Sequence, residues 1–594
     1  MSEDRFEIDL NRREFVAASS ALTGVALAGC TGGGDGGDGG DGGDGGGGDG
    51  GDGGGSTATE AEQQATDAQA QGQTVRLNVG LNSGVWNLDP ALWSDESSST
   101  VGSLIYDEVI ELTTDEQLQA GLVEEVPEMD PDGPHFDYTL REGLKFHNGD
   151  DVTAEDFKYS VDWILNPDNN SPIRSRIPFV TETETVGDRT LRMHLEKPFA
   201  TLNWWLTRGL EAIVPEGSRG QVEQGKGPSG FATEITTDAS GVGTGAFQFV
   251  EWQSESHVLL EAFDDYWMDD APVADEIRFE IIPEASTQLA DLRSGNINLI
   301  NKVPPKDFES LQNRPNITAE AKPGSLTEVL YVNLMDSGDN PMANVNNRRA
   351  VLFGIDAEEI LDEIFYGQGV AQKGPWYPDS EWTSPRLKEM EMFDPEKARA
   401  ELEKAGNPDG FSMEILATKG SWFKDEAIII QNQLSNIGID ASVTAVEKST
   451  LFNQVYGTTD WHAAMEDWAN AIPVATYWLD AGFADNNHNH NNWHHPADDL
   501  SDPYEASGPP APESASGDFS NGHEWFVSRL REAQAAADEQ TQKEIVWELE
   551  EYVVENAIQI DIAYVNTLQA WASSVEGYEF GTFVDEFRFA GVDN

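Results

Sequence analysis

Leu140-Arg-Glu-Gly-Leu-Lys-Phe-His-Asn-Gly-Asp-Asp-Val-Thr-Ala-Glu-Asp-Phe157 is the stretch on which the fold turns. Leu140 to Phe146 reads as a short extended segment. It runs into His147-Asn148-Gly149-Asp150, whose Asn-Gly pair signals a tight turn. Thr153 with Asp156 three residues later has the form of a capping box, so a helix starts there. Phe157, Val161, Ile164 and Leu165 give that helix an apolar face. Asn166-Pro167 stops it.

The same grammar recurs outward from this stretch. Asp394-Pro395 opens a second helix, through Ala398, Leu402 and Ala405, which Gly406 ends. Strand-like runs stand at Thr74–Leu81, Ile277–Ile282, Leu326–Val332, Phe411–Leu416 and Ile439–Val446. Helices and strands alternate, which predicts an α/β fold. The segments 215–242 and 484–523 read as long loops.

The chain has 594 residues, 107 acids against 36 bases, and a formal net charge of −71. With 38% hydrophobic residues and 17 Trp, it has the material for a packed core beneath a very acidic skin. Nucleic-acid binding is disfavoured, because phosphate contact needs clustered Lys and Arg. So much charge repels itself in dilute salt. Molar salt, with a Debye length of about 3 Å, screens it, which points to a halophilic protein.

The first thirty residues read as an address. Arg12-Arg13 stands before an apolar stretch from Phe15 to Leu27, in the manner of a twin-arginine signal. The stretch is too short to span a bilayer. It ends Leu27-Ala28-Gly29-Cys30, a lipobox whose cysteine is the only one in the chain. Cys30 is therefore the expected lipidation site, and no disulfide within the chain is possible. Residues 31–73 are rich in Gly and Asp, then Ala, Gln and Thr, and read as a flexible tether. Such a coil reaches roughly 35–40 Å.

The chemical motifs are few. Gly220-Gln-Val-Glu-Gln-Gly-Lys-Gly227 lacks the Ser or Thr that follows the lysine of a phosphate loop. No nucleophile elbow and no zinc-protease motif is present, and no cofactor is expected. His488, His490, His494 and His495, near Asp485, Asp498 and Asp499, are the candidate metal ligands. They lie among asparagines in a predicted loop with no rigid element to set ligand geometry, so a polar loop is the preferred reading. Export, tethering and many tryptophans without a catalytic constellation favour a binder of small molecules over an enzyme.

From residue 74 onward the sequence resembles solute-binding protein family 5, the dipeptide, oligopeptide and nickel receptors of ABC importers. With the lipobox and acidic skin it looks like a haloarchaeal-type lipoprotein of that family. The stretch 140–157 carries the resemblance best. Gly243-Thr-Gly-Ala-Phe247 with Trp252 and Asp265-Tyr-Trp267 continues it, as does Ser294-Gly295-Asn296. Tyr331-Val-Asn333, Asn347-Arg-Arg-Ala350, Gly354-Ile-Asp356, Phe393-Asp-Pro-Glu-Lys-Ala398, Lys404-Ala-Gly406 and Asn436-Ile-Gly-Ile439 complete it, in order.

The resemblance implies a two-lobed, periplasmic-binding-protein-like (type II) α/β fold. Lobe I would be residues 74–325 plus 564–594, with an extra subdomain at about 116–240. Lobe II would be 326–563. It further implies a monomeric extracellular receptor, lipid-anchored to the membrane, that delivers short peptides to a permease and its ATPase. A nickel chelate, an oligosaccharide or another organic solute remains open as ligand. A surface metallohydrolase using the 488–495 histidines is the alternative class. In peptide-binding members an aspartate just after a Trp holds the ligand's ammonium. Here Trp468 aligns, but Asn470 occupies the aspartate's region and Asp467 precedes the Trp. Trp86, Trp376 and Tyr377 are further cleft candidates. Arg348-Arg349 fits a helix-surface or inter-lobe role better than carboxylate binding, and His147 a structural one.

Overall fold

The computed structural model describes residues 74–592, apart from 94, 131–132, 211, 225–230, 336–338, 470–472, 485–490, 494–507, 518, 520 and 537–538. The signal, Cys30, the tether, Asn470 and the four loop histidines lie outside the described residues. Among the described residues no helix is long and apolar enough to cross a membrane.

Local signals place most elements. In chain order, β1 is Arg76–Leu81, α1 is Ala154–Leu165, β2 is Phe247–Gln253, β3 is His257–Ala262, β4 is Glu276–Ile281 and β5 is Leu299–Ile300. β6 is Ile317–Val332, β7 is Ser412–Thr418, α2 is Trp422–Ser435, β8 is Asp440–Val446, α3 is Lys448–Gly457, β9 is Ala463–Ala469, α4 is Ala475–Phe483 and β10 is Gln559–Ala572. The capping box at Thr153 is reciprocal. The Asp156 N–H donates to Thr153 Oγ1 at 3.4 Å and the Thr153 N–H to Asp156 Oδ2 at 3.0 Å. The Asp394 helix forms over Pro395–Ala405 and closes on Gly406 at φ +81°.

One expectation fails locally. The extended segment expected over Leu140–Phe146 is broken by a turn at 142–143; Leu140 and Lys145 make isolated bridges, to Val123 and Asp151. Gly143 turns the chain at φ +79°, while the Arg141 backbone N–H donates to the Leu122 carbonyl at 2.9 Å and its guanidinium to the Gly121 and Ala120 carbonyls. The regular strand ends just before, at Thr139. The turn that follows is pinned to Gly243-Thr-Gly-Ala-Phe247. The His147 N–H donates to the Gly243 carbonyl at 2.9 Å, and its ring Nε2 bonds the Gly245 carbonyl at 2.9 Å. Burial pushes the His147 pKa down to about 4, so the ring is neutral and serves structure. A side chain at Gly243 would meet the Ile105 carbonyl at 2.0 Å, so this close approach needs glycine.

The main sheet has eleven strands in the order β8-β7-β9-β6-β10-β5-β1-β4-β3-β2, with Gly369–Ala371 also paired to β10. β7, β8 and β9 run parallel in one half, and β1, β4 and β5 in the other. β6 and β10 pass through both halves, antiparallel to each other. At the passage, a β-carbon on Gly324 would sit 2.1 Å from the Val565 carbonyl. A separate three-stranded sheet of His135–Thr139, Thr190–Leu195 and Val180–Val186 packs with α1 into its own core, which includes Phe136, Phe157, Leu191 and Leu206. Two further cores cover the halves of the main sheet.

Candidate ligand-binding site

Strand polarity locates the site. β6 runs from the first half of the sheet into the second, and β9 pairs antiparallel to it, so β7, β8 and β9 all end facing the first half. β5 pairs antiparallel to β10, so β5, β1 and β4 end facing the second half. The carboxyl ends of both parallel sets thus converge on one cleft, where open α/β sheets bind ligands.

On the second-half wall stand Asp467 and Trp468, the last but two and last but one residues of β9. Successive strand residues point to opposite faces. Asp467 pairs across with Glu328 of β6, and Trp468 with Thr327. The Trp468 ring lies edge-on to Trp478 of α4, centroids 6.2 Å apart. Glu426, on the second turn of α2, is 0% exposed, and among the described residues its carboxyl oxygens have no hydrogen-bond partner other than the carboxyl of Glu328. The carboxyl it meets is that of Glu328, whose Oε2 accepts from Trp422 Nε1 at 3.4 Å. Burial, then mutual repulsion, drives the Glu328 pKa far above the carboxylate range, and burial raises that of Glu426. Asp467 is also raised by burial, against the pull of Lys448 at the start of α3 and of Lys302 from the opposite wall. On the other face Glu466 is pushed up to about 7 by burial and accepts from Thr418 Oγ1 at 3.2 Å.

In the first half, Trp86 is half-buried and its backbone N–H donates to Ser98 Oγ at 2.9 Å. Lys302, just past β5, pairs with Glu96. Tyr377 is half-buried with its ring 5.5 Å from that of Tyr564 on β10. Its pKa is raised by burial, then by Asp379 and by Glu116 of the first half. Trp376 is 6% exposed, packs in the second-half core and donates Nε1 to Ser380 Oγ at 2.5 Å. Arg348 is buried and donates to the carbonyls of Met342, Ala343, Asn556 and Ala557, which fixes its helix to the end of the helix Glu539–Glu555. Burial pushes its pKa down to about 9. Arg349 donates to the Glu555 carbonyl at 2.5 Å. Both arginines serve packing within the second half.

Beside the cleft the halves touch. Val474, just before α4, is 3% exposed and lies inside the small-sheet core, and Tyr477 meets Trp205 edge-on at 4.7 Å. A cavity of about 470 Å³ in the first half, lined by Glu111, Glu586 and Arg588, lies outside the set of strand ends that forms the cleft. Its Arg588 is clamped between the two glutamates.

Glu328, Glu426, Trp422 and Lys302 did not emerge from sequence reasoning. A signal exists for the two glutamates. Glu328 interrupts the apolar run around Val329-Leu330-Tyr331-Val332, and Glu426 falls on the apolar stripe of Phe423, Ala427 and Ile430. An acid in a buried stripe marks either a paired charge or a site.

Two lobes joined by two crossing strands, with parallel strands ending at a shared cleft, make the type II periplasmic-binding-protein architecture. The chain belongs to the bacterial extracellular solute-binding proteins, family 5, which it matches over residues 117–490. It is 26% identical over 420 residues to the glutathione-binding protein GsiB of Pectobacterium atrosepticum, covering 68% of this chain and 78% of that one. It is 26% identical over 441 residues to the oligopeptide-binding protein AppA of Bacillus subtilis, covering 70% and 76%. The fold matches that of DppA from Helicobacter pylori, solved with the peptide STSA, at TM-score 0.67 and 21% identity, covering 89% and 100%.

Proposed function

We propose that this chain is the extracellular receptor of an ABC importer, binds short peptides in the cleft between its lobes, and hands them to a membrane permease. The observation that carries the reading is the cleft's second-half wall. There a half-buried acid, Asp467, and the aromatic Trp468 stand in succession near the end of β9, on alternate faces of the strand. The acid suits a peptide's terminal ammonium, and Trp468, Trp86 and Tyr377 offer surfaces for side chains to stack on. The names of GsiB and AppA and the peptide bound by DppA support the same ligand class.

In this reading lobe I is 74–325 plus 564–594, with a subdomain at about 116–240, and lobe II is 326–563. The crossing of β6 and β10 supports that division. The receptor carries no catalytic role and is held at the outer face of the membrane by a lipid on Cys30.

The test is ligand identification. The full chain is purified in molar salt from a high-salt host and denatured, and the released molecules are analysed by mass spectrometry. A ladder of short peptides supports the reading. A sugar or a metal chelate without peptides overturns the ligand class and leaves the family intact.

A further inference from the structure

Glu328, Glu426 and Asp467 put three carboxyls at the carboxyl end of the second-half strands. Glu426 is fully buried, and among the described residues its oxygens have no partner other than the carboxyl of Glu328, itself 1% exposed. Two buried carboxyls cannot face each other with both ionised, so the pair must share a proton or be answered by a cation.

Among the described residues no side-chain cation closes the cluster. Lys302, across the cleft, is engaged with Glu96. Lys448 lies over the Phe452 ring at 5.4 Å and pulls on Glu466 as well as Asp467. From β10 the residue opposite Glu328 is Ala563, and the side chain that meets Trp422 from the helix Ala357–Phe365 is Phe365. Among the described residues the charged groups acting on the three acids are therefore each other, Glu466 on the far face, Lys448 and Lys302.

We propose that the Glu328–Glu426 pair holds one proton between its carboxyls in the empty receptor and releases it to water when a cationic group of the ligand seats against Asp467. The cleft then selects solutes that present an ammonium or guanidinium at that position. Asp467 touches the cation; the buried pair behind it supplies negative charge on demand, without the cost of two bare carboxylates in the empty state. This rests on the receptor reading and sharpens it to cationic solutes.

The test uses the full chain in molar salt, freed of bound solute. It is offered a random tetrapeptide library built without Lys, Arg or His, with free or N-acetylated amino termini, and separately 1,4-diaminobutane. Retained species are read by mass spectrometry. Protons released are measured by titration calorimetry near pH 7 in two buffers of different ionisation enthalpy. Free-terminus peptides should be retained roughly tenfold or more over acetylated ones, and Asp467→Asn should erase the preference. Binding should release about one proton, and Glu426→Gln should bind without that release. Glu328→Gln tests the same proton should Glu426→Gln not fold. Equal retention of acetylated peptides, or proton release unchanged in these variants, overturns the proposal and spares the peptide reading. Retention of diaminobutane with proton release, but of no peptide, upholds the proposal and overturns the peptide reading. Retention of neither probe overturns both.

Discussion

Asp89 and Arg219 form an ion pair whose side chains are 0% and 1% exposed, with Nε 3.0 Å from Oδ1. The Thr233 hydroxyl adds a 2.6 Å bond to Oδ2, and the guanidinium stacks on Trp163 at 4.7 Å. The pair ties the long loop after residue 215 to the segment that carries Trp86. Removing one partner strands the other charge in a dry site, a loss of about 3–5 kcal/mol. Asp89→Asn should lower the melting temperature accordingly in scanning calorimetry, while Asp89→Asn with Arg219→Met should recover part of it. Sequence reading found Trp86, but not the role of Asp89 three residues on. Its partner is 130 residues away, and no local pattern marks the pairing. Asp467 shows the same limit. Strand periodicity predicts that it points away from Trp468, but Glu328 and Glu426 come to it from β6 and α2.

Elements set by neighbours in sequence were readable, and the hinge was not. The capped helices after Thr153 and Asp394 form where their caps stand, because a cap is a contact over three residues. β6 reads from its sequence as a strand-like run from Leu326 to Val332. Yet the strand runs from Ile317, with its pairing to β10 shifting register between Lys322 and Leu326. A proline is tolerated at such an irregularity, and the missing side chain of Gly324 lets β10 pass close by. Gly324→Ala would press a methyl into the Val565 carbonyl. It should cost about 1–3 kcal/mol in denaturant melts. Since β6 and β10 are the strands a closing motion would bend, the same variant should blunt ligand-dependent compaction in small-angle scattering.

At the scale of the whole molecule, pH and salt act on the same charges. Burial lifts Asp107, Glu466 and Asp561 to about 7 and Asp585 to about 6, from ordinary values near 4. Between roughly pH 4 and pH 7 the folded chain therefore binds more protons than the unfolded one, and stability falls as pH rises through that window. The net charge of −71 adds self-repulsion in the same direction. The melting temperature should be higher at pH 5 than at pH 8, and molar salt should raise it at both, most at pH 8. A melting temperature that rises from pH 5 to pH 8 would show that the buried acids are not protonated when folded. The acidic composition announced the salt dependence. The pH dependence could not be read from it, because which acids are buried is decided by strand faces and helix stripes.

The interleaving of the two lobes also sets an order in time. β5 pairs with β10 through Leu299 with Trp571 and Ile300 with Ala570, so one edge of the first half waits about 270 residues of synthesis for its neighbour. Until then that edge is an open row of amides and carbonyls, available to any other strand. Contacts so distant in sequence are slow to form. A nascent chain halted at Asn556 has β5 and β6 without β10 between them, and it should pellet rather than wait.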